Sequence, residues 1–242
     1  MNALTTTFVR RLRERDEAAW FELWQDFGPA IRFQLHKWGR GRVGFETVQD
    51  LTQDTLAELS KCIERYDPNR GARFSTWLLS IAKHLLGDEM DRRNAKKRGS
   101  GVKPLSLDIR IDSKSALLQV DEIFEQRIFS GKICSAIRRT ETEVEFLHFQ
   151  VWRMRVLDNK IGKEISAQLG ISEPTVSRHV AKIRDHLRQT IIEVVMQYSF
   201  TPEEEREISS SGMSGNDTEF DSAVCEAYHQ HQLFLEAESK RS

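Results

Sequence analysis

Apolar side chains recur at intervals of three and four residues along almost the whole chain. This spacing places side chains on one face of an α-helix. Alternating runs of Val, Ile or Thr between turn dipeptides, which would indicate β-strands, do not occur. In one predicted helix the shared face carries Val48, Leu51, Thr55, Leu59 and Cys62. The sequence therefore predicts an all-α fold.

The helical spacing is interrupted in the interior of the chain. It fades between residues 99 and 120, where Gly, Ser and Pro are typical of a linker. In the first segment, Gly28-Pro29 marks an expected kink or break in a helix. The expected organisation, in chain order, is a first small helical domain over 1–98, a flexible linker over 99–120, a second small helical domain over 121–197 and a C-terminal extension over 198–242.

The formal net charge of -1 hides a strong asymmetry. From Gln197 to Ser242 there are ten acidic and three basic residues, a balance of -7; the remaining chain carries 27 acidic and 33 basic residues, a balance of +6. A basic body favours a polyanionic partner, although many solvated surfaces have a similar composition. A short helix is predicted in the acidic extension, near Phe220 to Glu238.

Several classes of protein are disfavoured. No segment approaches the roughly 18 uninterrupted apolar residues of a membrane span, and the N-terminus lacks a signal peptide, so we expect a cytoplasmic protein without membrane insertion. Cys62, Cys134 and Cys225 are far apart and are expected to be reduced. Cys225, His229 and His231 resemble metal ligands but lack a fourth partner. We expect no metal, no cofactor and no catalytic residues, hence no enzyme.

The stretch from Ile161 to Arg188 has the layout of a helix-turn-helix. A short helix ends at Gly170, which suits a left-handed turn, and Ser172 is placed to cap the next helix, which starts at Glu173-Pro174. Arg and Lys near the front of such a helix reach guanine edges or phosphates in the major groove. The residues expected to face DNA are Glu173, Thr175, Ser177, Arg178 and Lys182. The alternative is a helical hairpin that only completes a core.

Two blocks of motifs give the chain a family resemblance. RDEAAWFELWQDF, VQDLTQDTLAEL and FSTWLLSIAKHLLGDEMDRR follow one another in the first domain, and the helix-turn-helix lies in the second. In this order they resemble a bacterial sigma factor of the extracytoplasmic-function (ECF) type. The resemblance covers Arg15 to Arg98 and Ile123 to Met196.

The resemblance implies that the protein binds core RNA polymerase and carries it to promoter DNA. Asp50, Gln53 and Asp54 would meet the clamp helices of the largest polymerase subunit. The helix-turn-helix would read the -35 element, and the linker would thread toward the RNA exit path. An anti-sigma factor or another regulator is a possible further partner.

The helix from Phe74 to Arg98 would then read and melt the -10 element. On a helical wheel, two apolar arcs leave only a narrow polar strip, and the positive end of the helix suits DNA phosphates or, alternatively, solvent. Trp77 is a candidate for stacking on a base, although its apolar neighbours favour a core position. His84 replaces an Asn that is frequent in the family. The expected -10 contacts are Trp77, Ser80, Lys83, His84, Gly87, Arg92, Arg93, Lys96, Lys97 and Arg98.

Two rival interpretations fit part of the pattern. A helix-turn-helix repressor with a helical sensing or dimerisation domain would bind a palindromic duplex without polymerase. A helical interaction module or anti-sigma-like scaffold would not bind DNA at all. Under the sigma factor interpretation, the acidic extension is expected to be regulatory, docking on a basic surface of either domain, or to be a disordered solubilising tail.

Overall fold

The computed structural model describes residues 3–39, 41–67, 73–98, 122–202, 204, 206 and 215–240. Within them the chain forms α-helices and one 3-10 turn and contains no strand, which confirms the all-α prediction. In chain order the elements are α1 (Ala3–Arg13), α2 (Glu17–Gly39), α3 (Phe45–Cys62), the 3-10 turn (Ile63–Arg65), α4 (Phe74–Arg98), α5 (Glu122–Glu143), α6 (Phe146–Val156), α7 (Gly162–Leu169), α8 (Glu173–Gln197) and α9 (Asp217–Ser239). The predicted linker over 99–120 lies outside the described residues and stays a prediction. None of the described helices has the length and apolar character that a membrane crossing requires.

Helices α1 to α4 form the first unit. Helix α3 packs against α2 and α4, with its predicted apolar face turned inward. Helix α2 continues without interruption through Pro29, so of the predicted kink or break at Gly28-Pro29 the break is wrong and the kink stays a prediction. Phe27, Ala30 and Ile31 around the proline are buried, and this tertiary packing offsets the local cost of the missing backbone donor.

Helices α5 to α8 form the second unit. Helix α8 packs along α5 and α6 and closes over the shorter α7. The centre of this unit is Trp152, which is fully buried and tilted against Phe149 at a ring-centroid distance of 5.7 Å. Burial of aromatic side chains of this size supplies a large share of the hydrophobic stabilisation of a small domain.

The two units pack directly on each other. Helix α2 lies against α5, and α1 lies against α8. Thr5 donates a hydrogen bond to the carbonyl of Met196 at 2.6 Å, and Ser75 donates to Glu125 at 2.7 Å. The sequence predicted two domains on a linker and gave no sign of this contact.

Aromatic side chains after the end of α8 cross from the second unit into the first. Tyr198 meets Phe8 and Phe27 edge to face, at centroid distances of 5.0 and 5.4 Å. Phe200 is fully buried and stacks on Phe74 at 4.1 Å, with 13° between the rings. The predicted boundary between second domain and extension, at residue 198, therefore falls inside a packed segment.

The acidic extension carries the predicted helix, α9, which packs against α5 and α6. Phe220, Val224, Ala227 and His231 form its buried stripe, at the spacing of an amphipathic helix. Burial, together with the nearby guanidinium groups of Arg138 and Arg127, lowers the pKa of His231 to about 4. His231 is therefore neutral in the folded chain at pH 7.

This burial predicts a pH-dependent stability. Between the ordinary histidine pKa near 6.5 and the folded value near 4, the unfolded chain binds a proton that folded His231 does not, so stability falls as pH decreases. We expect urea unfolding to show a loss of roughly 1 to 2 kcal/mol between pH 7 and pH 5 that is absent in His231→Gln. The exposed neighbour supplies the control, His229→Gln, which should keep the wild-type pH dependence. An unchanged pH dependence in His231→Gln would contradict the account.

Candidate nucleic-acid interface

The turn between α7 and α8 has the geometry of a helix-turn-helix. Gly170 adopts a left-handed conformation, with φ 66° and ψ 29°, and its amide donates to the carbonyl of Ser166. Ser166 in turn donates its hydroxyl to the carbonyl of Ile171 at 2.5 Å. Ser172 caps α8 by accepting a hydrogen bond from the amide of Thr175. The turn is therefore built by the residues that the sequence indicated.

The front of α8 presents its polar side chains to solvent. Glu173, Ser177, Arg178 and Lys182 are exposed and Thr175 is half-buried, whereas Val176, Val180 and Ile183 are buried. The guanidinium of Arg178 donates to Thr175 Oγ1 at 3.2 Å, which aligns it along the outer face of the helix. All five predicted -35 residues thus lie at the front of one helix, with Arg178 and Lys182 accessible to a ligand.

A histidine pair lies between α6 and α8 beside this face, and the sequence analysis missed it. His148 of α6 and His179 of α8 lie with their ring centroids 4.0 Å apart, and His148 Nδ1 is 3.4 Å from Lys182 Nζ. Burial and the neighbouring His148 lower the pKa of His179. Only the fold brings α6 and α8 together, so the spacing in the sequence gave no signal for the pair.

The polar strip of α4 divides between two directions. Lys83 and Gly87 line an open groove, whereas His84 turns aside and pairs with Asp88 at 3.4 Å. Ser80 donates to the carbonyl of Trp77 within its own helix at 2.6 Å. The predicted strip is present, and which of its residues contact DNA stays a prediction.

Trp77 is a core residue in this structure. Its side chain is 4% exposed and stacks on Tyr66, with 4.9 Å between ring centroids and 30° between planes. In this structure Trp77 therefore has no exposed ring face with which to make the predicted contact to a DNA base. Packing from both flanks of α4 explains this, because Leu78 and Ile81 are also buried.

The groove beside α4 combines an aromatic floor with a cationic rim. It has a volume of about 470 Å³ and runs between the end of α2 and the middle of α4. Lys83 Nζ lies 5.8 Å from the centre of the Trp38 ring. Apart from the adjacent residues and the local backbone of α4, no atom lies within 4 Å of where a Cβ on Gly87 would be, so a ligand has room to approach the backbone. The lining residues are Lys37, Trp38, Arg42, Lys83, Leu86, Gly87 and Met90.

Three of these groove residues, Lys37, Trp38 and Arg42, were missed by sequence reasoning. An aromatic ring flanked by cations is a combination that suits the bases and phosphates of a single strand. The local pattern KWGRGR, residues 37–42, was a signal available in the sequence. It gained meaning only when the end of α2 was seen beside α4.

The basic end of α4 is partly committed to internal contacts. Arg93 donates to Glu89 at 2.6 Å, to the carbonyl of Arg42 at 3.0 Å and to Thr47 Oγ1 at 2.7 Å. Arg92 also pairs with Glu89. Burial alone would raise the pKa of Glu89, but the hydrogen bonds from both arginines outweigh it and lower that pKa. Lys96 is exposed, and the side chains of Lys97 and Arg98 lie outside the described residues.

Comparison with known proteins decides between these interpretations. Residues 23–96 match the family model for sigma-70 region 2, and residues 66–193, more than half of the chain, match the model for ECF sigma factors. The chain belongs to the ECF sigma factor family. The chain is also similar to the ECF RNA polymerase sigma factor RpoE of Cereibacter sphaeroides, with 24% identity over 182 residues that cover 75% of this chain and 91% of that protein. The resemblance inferred from the motifs is confirmed.

Membership in this family implies core RNA polymerase and promoter DNA as partners of the sigma factor. The surface predicted to meet polymerase lies on α3, where Asp50, Gln53 and Asp54 are all exposed. Glu58, one turn further on, is half-buried and pairs with Lys61 at 2.9 Å. The three predicted residues form one polar face on the side of α3 opposite to its buried stripe.

The suspected metal ligands of the sigma factor do not converge. Cys225 Sγ lies 3.4 Å from His229 Nδ1 on the outer side of α9, whereas His231 is buried beside α5. In the parts of the chain that the structure describes, no three His, Cys, Asp or Glu side chains gather into a possible metal site.

The contacts of Arg93 predict that two cations of α4 serve different purposes. Removing Arg93 breaks charged hydrogen bonds between α4 and the α2–α3 connection, so Arg93→Ala should lower the free energy of unfolding by about 1 to 2 kcal/mol. The matched charge deletion Lys96→Ala should change it by less than about 0.5 kcal/mol, because Lys96 is exposed. Urea denaturation measures both; equal effects would contradict the assignment.

Proposed function

We propose that this sigma factor binds core RNA polymerase, melts promoter DNA at the -10 element with α4 and its groove, and reads the -35 element with α8. The observation that carries the proposal is that one chain presents two different DNA-suited surfaces on two units. A helix-turn-helix suits a duplex, whereas a cationic groove with an aromatic floor suits a separated strand. Such a pair fits an asymmetric two-part promoter.

Reading of the -35 element is assigned to the front of α8. Arg178 and Lys182 are exposed cations placed one turn apart, and the small hydroxyl of Ser177 permits close approach to a major groove. A bidentate arginine contact to guanine supplies roughly 1 to 3 kcal/mol of discrimination. The early part of α8 therefore contributes to distinguishing one promoter element from random duplex.

Melting at the -10 element is assigned to the groove beside α4. Extruding a base costs a few kcal/mol, which a sigma factor without catalysis must recover by binding the separated strand. A ring such as Trp38 returns about 1 to 3 kcal/mol by stacking on an unstacked base, and Lys37, Arg42 and Lys83 neutralise the strand. His84 does not line the groove and pairs with Asp88, but it directly follows Lys83 on α4 and is the residue assigned to the preference for one base.

Attachment to polymerase is assigned to Asp50, Gln53 and Asp54 on α3. Their exposed face lies on the first unit, so polymerase is brought to the unit that melts DNA. Transcription in the cytoplasm follows from this role. The two rivals, a repressor and a scaffold without DNA, become outcomes of the test.

Reconstituted transcription with core polymerase tests the proposal. We expect start sites downstream of asymmetric two-part promoters, and we expect the double variant Arg178→Glu, Lys182→Glu to lower initiation about 100-fold or more without loss of polymerase binding. The control is Arg10→Glu, a charge reversal on exposed α1. Tight binding of a palindromic duplex without polymerase would support a repressor. Full activity of the double variant would refute the role of α8 in reading DNA.

The acidic helix α9 is proposed to restrain DNA binding. Asp221 accepts two hydrogen bonds from Arg184 of α8, at 2.6 and 3.0 Å, and Asp217 pairs with Arg184 at 2.8 Å and with Arg188 at 3.3 Å. Arg184 lies two turns beyond Ser177 on the same flank of α8. The extension thus neutralises the cations that continue the DNA-reading helix and places carboxylates beside its path.

Neutralising these carboxylates tests the restraint. The double variant Asp217→Asn, Asp221→Asn should raise promoter-dependent transcription several-fold, because Arg184 and Arg188 become available to phosphates. The control Glu226→Gln, Glu236→Gln removes the same two charges from exposed positions of α9. Equal effects of the two double variants would show that only net charge matters, and an unchanged rate in the first would refute the restraint.

A further inference from the structure

The segment after α8 joins the two units through aromatic rings. Phe200 has no exposed surface; one of its faces covers Phe74, and its ring meets Tyr66 edge to face at 5.7 Å. Tyr198 lies between Phe8 and Phe27, and its hydroxyl donates to the carboxylate of Asp26. Two residues that directly follow the second unit are therefore part of the core of the first.

We propose that the segment Tyr198–Phe200 is an intramolecular latch that holds the sigma factor closed until polymerase and promoter DNA withdraw Phe200. The proposal rests on the function proposed above, because closure is inhibitory only if both units must act on one promoter. It adds an aromatic contact between the units to the acidic restraint of α9 on α8.

The position of Phe200 connects the latch to promoter melting. Phe74 is the first residue of α4, the helix assigned to the -10 element, and Tyr66 stacks in turn on Trp77. Phe200 lies on Phe74 with nearly parallel rings, which is also how an unstacked base lies on an aromatic side chain. An intramolecular ring thus occupies an aromatic face at the start of the melting helix.

The closed arrangement is too short for a promoter. Phe200 on Phe74 joins the end of α8 to the start of α4. At 1.5 Å of rise per residue, Lys83 lies about 14 Å from Phe74 and Arg178 about 30 Å from Tyr198, so the two DNA-suited surfaces are roughly 60 Å apart at most. Elements at -10 and -35 lie about 25 base pairs apart, or roughly 85 Å of duplex. Both surfaces reach their elements only if the contacts α2–α5 and α1–α8 open.

Helix α9 reinforces the latch from the other end of the extension. Arg127 of α5 is sandwiched between two rings, Phe33 of α2 at 3.6 Å and Phe234 of α9 at 4.0 Å from its guanidinium carbon. Such cation–π contacts strengthen when they are removed from water, and Arg127 is 7% exposed. Through Arg127, the far end of the extension is therefore linked to α2 of the first unit.

The interface between the two units nevertheless contains buried polar groups, and these favour opening. Asp26 accepts hydrogen bonds from Ser135 and Tyr198, and Gln197 donates to Glu22 at 3.0 Å. Burial raises the pKa of Asp26 despite these bonds, which shows that the closed state penalises its charge. Water restores the solvation of these groups on opening, so the contact is weaker than an apolar core of equal area.

Spin-label distance measurement on the full chain tests the latch. Labels at Ser60→Cys and Ala167→Cys, exposed positions of α3 and α7, report the separation of the units in a Cys225→Ser background. Because Phe200 is fully buried only when the units are closed, Phe200→Ala should raise the ratio of open to closed chains about tenfold or more and add a longer distance band. Phe146→Ala, the same change at a ring that is 73% exposed, should match the wild type.

A second variant of Phe200 and a transcription assay separate the latch from a loss of folding. Phe200→Leu keeps most of the apolar volume but loses the stacking, so it should open partly while far-UV circular dichroism stays native. If both Phe200 variants give the distances of Phe146→Ala, the latch is refuted.

Transcription with core polymerase should rise several-fold in Phe200→Ala. Opening without a rise in transcription refutes the inhibitory role of the latch. No transcription from any variant or the wild type rejects the sigma function and leaves the distance result intact.

Discussion

The stacking of Phe200 on Phe74 is the contact on which the arrangement of the molecule depends. It lies at the start of α4, is completed by Tyr66 and Tyr198, and joins a core that belongs to both units. Because buried aromatic pairs supply stabilisation beyond their area, the cluster fixes how α1 and α2 meet α5 and α8. The exposed surfaces of α4 and α8 are then left on a body too short to span a promoter.

The positive charges of this sigma factor divide between internal contacts and exposed surfaces. Part of its positive charge is used internally: Arg93 ties α4 to the α2–α3 connection, Arg184 and Arg188 hold α9, and Arg127 is held between two rings. Other cations are exposed along the groove of α4 and at the front of α8, among them Lys83, Arg178 and Lys182. The net charge of -1 therefore conceals both the cations proposed to bind DNA and the carboxylates proposed to restrain them.

Local signals in the sequence were sufficient for local structure. Gly170, Ser172 and Pro174 predicted the helix-turn-helix because a left-handed turn, a cap and a helix start each depend on a few adjacent residues. The inward stripe of α3 and the helix near Phe220 followed from periodicity in the same way.

Contacts between segments that are far apart in the chain could not be predicted from the sequence. Nothing local shows that Trp38 comes beside Lys83, that Phe200 reaches Phe74, or that Arg184 finds Asp221, because each pair is set by the packing of whole helices. Pro29 failed as a helix breaker for the same reason, since burial of its neighbours outweighed the local rule.

If the latch exists, core RNA polymerase opens a sigma factor that is closed when it is free. The most direct measurement is the distance between spin labels on α3 and α7 of the otherwise wild-type chain, recorded before and after core RNA polymerase is added. We expect a single short distance for the free chain and a distance longer by tens of ångströms in the complex, as a span of roughly 85 Å between promoter elements requires. An unchanged short distance in an active complex, or a long distance in the free chain, would contradict opening by polymerase.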